Sequence, residues 1–259
     1  MTVHAGTDHA ATQRLRDTIE IALRRARERT TALTEAVGEA DLVAQHSPLM
    51  SPLVWDLAHI GNQEELWLVR EVGGREPMRA DIDHLYDAFQ HRRADRPALP
   101  LLDPAQARGY VRTVRDKVWD VLDTSPLSGH RLVDNGFAFG MIAQHEQQHC
   151  ETMLATHQLR PGTPALSATA PPVARVPVGD EVLVPAGPFT MGTDTDPWAL
   201  DNERPAHTVD VPAFELDATP VTNGAYQRFI EDGGYQEERW WHPEGWAYVR
   251  KAELSAPLF

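Results

Sequence analysis

The sequence predicts an α+β chain, in which a four-helix bundle is followed, after a proline-rich break, by a β-rich mixed domain. Two observations predict it. Before residue 160, apolar residues recur at helical spacing in four long segments, 11–36, 51–72, 104–123 and 136–159. After Arg160-Pro161-Gly162-Thr163-Pro164 and Ala170-Pro171-Pro172, the texture changes to short alternating stretches. The expected boundaries are 11–160 for the bundle, 161–178 for the linker and 179–259 for the opening part of the second domain.

Each helix carries start or stop signals. Ser51-Pro52 and Asp103-Pro104 each place a capping side chain before a proline suited to the first helical position, and Asn135 can cap the fourth helix. Gly73-Gly74 stops the second. The connection at 75–102 is long for a simple bundle and holds Asp81, Asp83, His84, Arg92, Arg93 and Arg96; loops of this length often serve function. Beyond the linker, Val182–Val184, Phe189–Met191 and His207–Val211 read as strands, and Asn223–Asp232 as a helix begun by Thr222-Asn223.

Composition removes several function classes. Lys and Arg total 24 against 38 Asp and Glu, and the resulting net charge of −14 repels phosphate backbones and anionic lipids. Nucleic acid is not an expected partner. Nor is a membrane, since no apolar run approaches the roughly 20 residues of a span, and the polar start, Met1 to Thr12, lacks a signal peptide's apolar region. A lone cysteine, Cys150, cannot form an internal disulfide, which fits a reducing compartment; the expected location is cytoplasmic. Cys150 has no activating base nearby in sequence and reads as a small buried residue.

The strongest chemical signal is His145-Glu146-Gln147-Gln148-His149-Cys150-Glu151 in the fourth helix. Residues four apart share a helical face, so His145 and His149 can offer two imidazoles to one metal ion. Met141, Ile142, Thr152 and Met153 flank the same stripe and turn it toward the bundle interior, where an unpartnered ring would be costly. A third imidazole is available in His59, on a helix that a bundle places beside the fourth. Glu151 is rotated by roughly 200° from His149 and cannot easily share the ion; it is expected to orient an imidazole or to serve only the helix surface. Imidazoles alone do not choose between iron, zinc, copper and nickel. His84, His91, His130 and His157 lack partner spacing and are expected at the surface.

The order His59, then His145-x-x-x-His149-x-Glu151 in a four-helix half, resembles the DinB-like metal-binding domain of the sulfoxide synthases of ergothioneine biosynthesis. The resemblance continues in Val184-Pro185-Ala186-Gly187-Pro188-Phe189-Thr190-Met191-Gly192, Glu203–Val209, Pro220–Phe229, Asp232–Tyr235, Trp240-Trp241 and Gly245-Trp246, which look like the opening of the formylglycine-generating-enzyme-like, C-type-lectin-related domain. Singly these strings are architectural: glycines for turns and aromatics for packing. The match runs from residue 12 through nearly the whole chain.

The resemblance implies an iron(II)-dependent monooxygenase, with Fe(2+) on His59, His145 and His149 and open positions for dioxygen and a thiolate. It would join the sulfur of γ-glutamylcysteine, or of cysteine, to the imidazole of hercynine and oxidise it to a sulfoxide. Arg93 and Arg96 resemble the arginine pair that grips the donor's carboxylates, a task suited to the guanidinium fork, and Gln148 resembles a position that holds hercynine. The chain departs from the family at its end, Ala256-Pro257-Leu258-Phe259, well before the segment that carries the family's proton-donating tyrosine. No catalytic residue is therefore assigned, the second domain is expected to be incomplete, and its strand edges are expected to be exposed. Two alternatives are a DinB-type divalent-metal thiol transferase and a non-catalytic metal-binding module.

Overall fold

The computed structural model describes residues 4–257 except 168, 171 and 173–179. The linker expected at 161–178 thus lies partly outside the described residues, as do Leu258 and Phe259. Packing divides the chain into two units, one holding the residues up to Thr169 together with Gly192–Ala206, the other the rest.

The first unit is the expected bundle. Its long helices are α1 (His4–Glu35), α3 (Leu53–Glu64), α4 (Pro104–Thr124) and α5 (Phe137–Leu159), with a short α2 (Glu39–Val43). The second periodic segment is α-helical only to Glu64; Glu65–Val72 continues as a π-helix and stops at Gly73 and Gly74, the latter at φ 59°. Asp103 caps α4 as expected, accepting from the Gln106 N–H while the Gln106 side chain returns to the Asp103 N–H. Two expected caps are corrected. Pro52, not Ser51, precedes α3, because the Ser51 hydroxyl is occupied by Arg96 Nη1 at 2.6 Å. Gly136 precedes α5 in the left-handed region, and Asn135 adopts φ 53° without capping the helix.

Ile19, Leu23, Trp55, Ile60, Val114, Val118 and Phe139 form the apolar core between these helices. Through it runs a charged layer drawn from all four. The Arg27 guanidinium on α1 donates to Glu64 (2.6 Å) and Glu146 (2.7 Å). Arg115 on α4 donates to Glu64 and, at 2.9 Å, to Glu146, and Thr30 adds a hydroxyl bond to Glu146 at 2.8 Å. Burial pushes the Glu146 carboxyl upward, but Arg27 and Arg115 outweigh it and hold it below its ordinary value. Trp198, from Gly192–Ala206, lies against Gly140 and donates its indole N–H to the Asn135 carbonyl at 2.9 Å.

The second unit contains two antiparallel pairs, β1 (Glu181–Val184) with β4 (Phe214–Asp217) and β2 (Gly187–Met191) with β3 (His207–Val211). Helices α6 (Asn223–Glu231) and α7 (Pro243–Lys251) follow, α6 capped by Thr222 as expected. Phe229, Tyr235 and Trp241 form an aromatic cluster with centroids 5.1–6.5 Å apart. Val182, Leu183, Phe189, Met191 and Leu216 on the strands are exposed.

Removing one member of the charged layer leaves guanidinium groups short of a buried partner. Glu146→Ala should cost about 3–5 kcal/mol, read as a lowered urea midpoint.

Candidate metal centre

Helices α3 and α5 pack face to face, and each presents histidine inward. His59 comes from the middle of α3, where every residue from Leu53 to Asn62 is buried. His145 and His149 come from adjacent turns of α5. Each of the three offers a ligand nitrogen within 4.8 Å of the others, the group among the described residues that could hold a metal ion. Their ring centroids lie 4.6–5.1 Å apart.

Hydrogen bonds settle which nitrogen two of the rings can offer. His59 Nδ1 lies 2.7 Å from the Tyr86 carbonyl, which can only accept, so Nδ1 carries the proton and Nε2 keeps its lone pair. His149 Nδ1 likewise donates to Asp56 Oδ1 at 2.8 Å, which frees its Nε2. His59 Nε2 and His145 Nε2 face each other at 3.2 Å. Two nitrogens each about 2.1 Å from one ion, at roughly a right angle, would stand about 3 Å apart, so the spacing suits a shared ion. The donor set fits as well: imidazole suits iron, zinc, copper and nickel, and a ligating ring is neutral, with its other nitrogen donating to a carboxylate or carbonyl.

Neutrality is built in. Burial first, then the neighbouring His149 and His145, push the His59 imidazole down to about 2. Burial, then His149, takes His145 down to about 4. Trp55 stacks on His59 at 4.6 Å with planes 13° apart, and its indole N–H is held by the Leu85 carbonyl at 3.0 Å.

The arginines separate in environment. Arg96 is buried, its guanidinium 3.4 Å from the centre of the Trp55 ring, bonded to Ser51 Oγ and, at 3.3 Å, to the His91 carbonyl. Burial holds it below its ordinary value. Arg93 is exposed and donates to the Leu49 carbonyl at 3.0 Å. Gln148 is exposed and lines a cleft of about 660 Å³ with Gln144, Gln147 and Trp198; the Gln147 oxygen is taken by Arg29 at 2.7 Å. Glu151 is exposed, and the imidazole-orienting carboxylate is Asp56 instead. Asp56 reaches a histidine 93 residues away on another helix, so no local spacing in the sequence signalled the pair. Tyr86 acts through its main chain and left no signal either. His157, expected at the surface, is half-buried with Nε2 at the Leu33 carbonyl, 2.9 Å.

The DinB superfamily model matches residues 22–153, which include all three histidines. The chain belongs to the DinB superfamily. A second model, the sulfatase-modifying factor enzyme 1-like domain, matches residues 166–257, so the expected pairing of a DinB-like bundle with a formylglycine-generating-enzyme-like domain is met. The chain is 52% identical to a hercynine oxygenase of Mycolicibacterium smegmatis, over 94% of this chain and 57% of that one. It is 51% identical to a hercynine oxygenase of Mycobacterium tuberculosis, over 92% and 56%. A formylglycine-generating enzyme of Bos taurus is 38% identical over 30% of this chain and 19% of its own. The chain thus spans 57% and 56% of the two oxygenases. Among the described residues no helix is long and apolar enough to cross a membrane.

The depressed imidazoles give a signed pH dependence. With folded values below the unfolded one, the unfolded chain takes up protons first. Stability of the metal-free chain is complete above about pH 6.5 and falls with pH toward the folded values, by up to about 1.4 kcal/mol per pH unit for each of the two rings. The urea midpoint should drop between about pH 7.5 and pH 5, with a flatter slope in His59→Ala; an equal slope would contradict the burial-driven shift.

Proposed function

We propose that this chain carries the metal-binding part of an iron(II)-dependent hercynine oxygenase, which uses dioxygen to join the sulfur of γ-glutamylcysteine, or of cysteine, to the imidazole of hercynine. The observation that carries the proposal is the convergence of His59, His145 and His149 between α3 and α5, in a chain about half identical to hercynine oxygenases across its length. Iron(II) held there would supply the redox chemistry and the open coordination positions that sulfur–carbon bond formation and sulfoxidation need.

The chain's own residues have separable tasks. The three imidazoles hold the ion, with Asp56 and the Tyr86 carbonyl setting two of their tautomers. Arg96 is suited to a carboxylate of the thiol donor, because its guanidinium is buried and its hydrogen bonds go to a hydroxyl and carbonyls rather than to an acid. Arg93, exposed three residues earlier, can turn to the same anion at little cost. Gln148, with its amide exposed beside His149, is the proposed contact to hercynine. The assigned setting is the reducing cytoplasm, which the single buried Cys150 supports.

The test is incubation of the anaerobically iron-loaded chain with hercynine, γ-glutamylcysteine and air, with mass spectrometry for the sulfoxide conjugate. One bound iron per chain is the expected result, and the conjugate would show that this part suffices for turnover; turnover without oxygen would point to a thiol transferase, and failure to bind iron would overturn the proposal. Arg96→Gln should weaken binding of γ-glutamylcysteine to the metal-loaded chain by about tenfold or more, as loss of a charge-assisted carboxylate contact requires, read by calorimetric titration.

A further inference from the structure

His59 is the one proposed ligand that does not lie on α5, so its aim depends on contacts that the His145–His149 spacing cannot supply. The bond that aims it comes from the Tyr86 carbonyl, at the end of a six-residue 3₁₀ turn, Ala80–Leu85. Such turns have poor internal hydrogen bonds and hold their peptides loosely by themselves. The same turn also supplies the Leu85 carbonyl that holds Trp55 against His59. Two contacts to one imidazole therefore depend on where this turn sits.

The turn is clamped through Asp83. Its carbonyl receives the Tyr86 N–H at 3.2 Å, and its carboxylate receives Arg70 Nη1 at 2.7 Å, Arg70 Nη2 at 3.0 Å and Asn62 Nδ2 at 2.7 Å. Asn62 lies three residues after His59 on the same helix, so the clamp returns to the face that bears the imidazole. Arg70 is fixed in turn by Glu65, which accepts its Nε at 2.8 Å, the Met78 N–H at 2.7 Å and the Tyr110 hydroxyl at 2.6 Å. Glu65 and Arg70 are five residues apart. In an α-helix that offset rotates side chains by roughly 140°, but the π-helical stretch Glu65–Val72 closes i to i+5 and brings them together.

We propose that Asp83 is a positioning residue for His59: held by Arg70 and Asn62, it fixes the Ala80–Leu85 turn so that the Tyr86 carbonyl orients the imidazole and aims Nε2 at the other two histidines. The proposal rests on the three-histidine centre proposed above. Asp83 is part-exposed, and its replacement leaves Arg70 still paired with Glu65.

Cobalt(II), titrated against a chelating indicator with the whole chain, is the probe. Asp83→Ala should weaken cobalt binding by about tenfold and shift the visible band of the bound ion, and Asp56→Ala, which removes the direct bond to His149, should weaken it at least as much. Asp83→Asn, the same shape without the charge, should lose affinity while keeping the native fold by circular dichroism. Asp120→Ala, which breaks a surface pair with Arg75 far along α4, should bind as the unaltered chain does. Binding within twofold of the unaltered chain in both Asp83 variants would overturn the positioning role. If His59→Ala also bound as the unaltered chain does, the three-histidine centre would fall, and this proposal with it.

Discussion

Everything in the bundle depends on one buried charge arrangement: two carboxylates, Glu64 and Glu146, shared between two guanidiniums, Arg27 and Arg115. Each of the four long helices contributes one group, so no helix can slide or rotate without stranding a buried ion. Apolar faces tolerate small register shifts, whereas an unpaired interior charge costs several kcal/mol. Glu146 directly follows His145, and Glu64 comes five residues after His59. The pairing that fixes helix register therefore also fixes the helices that carry the imidazoles.

Local signals and distant pairings were not equally legible. Helical period exposed the four long helices, and Asp103-Pro104 marked a start that the structure forms with a reciprocal cap. The i, i+4 spacing of His145 and His149 was enough to suggest a shared ion, and the bundle's helix neighbours brought in His59, while the choice of iron needed the resemblance. What stayed hidden was non-local or main-chain. Arg27 meets Glu146 across 119 residues, and no periodicity encodes that partner. The Tyr86 carbonyl has no side-chain signature at all. The change from α- to π-helix after Glu64 keeps an apolar stripe that reads as continuous helix, although it alters which residues face each other. Asn135, expected as a cap, is instead used for its tolerance of positive φ.

The position of Arg96 links ion holding to anion recognition. His59 and Arg96 both pack on the Trp55 ring, at 4.6 Å and 3.4 Å, and Trp55 is tied by its indole N–H to the loop that also supplies the Tyr86 carbonyl. A carboxylate gripped by Arg96 would therefore lie at a distance from the imidazoles set by a stack of flat groups rather than by flexible chains. The charge on Arg96 also contributes to keeping His59 neutral. Burial lowers the proton affinity of the guanidinium, yet its ordinary value is so high that it stays charged. Lysine would lack both properties, since it has no flat face to stack and releases its proton far more readily when buried. An arginine is thus what this position requires if one side chain is to recognise an anion and keep the adjacent ligand unprotonated.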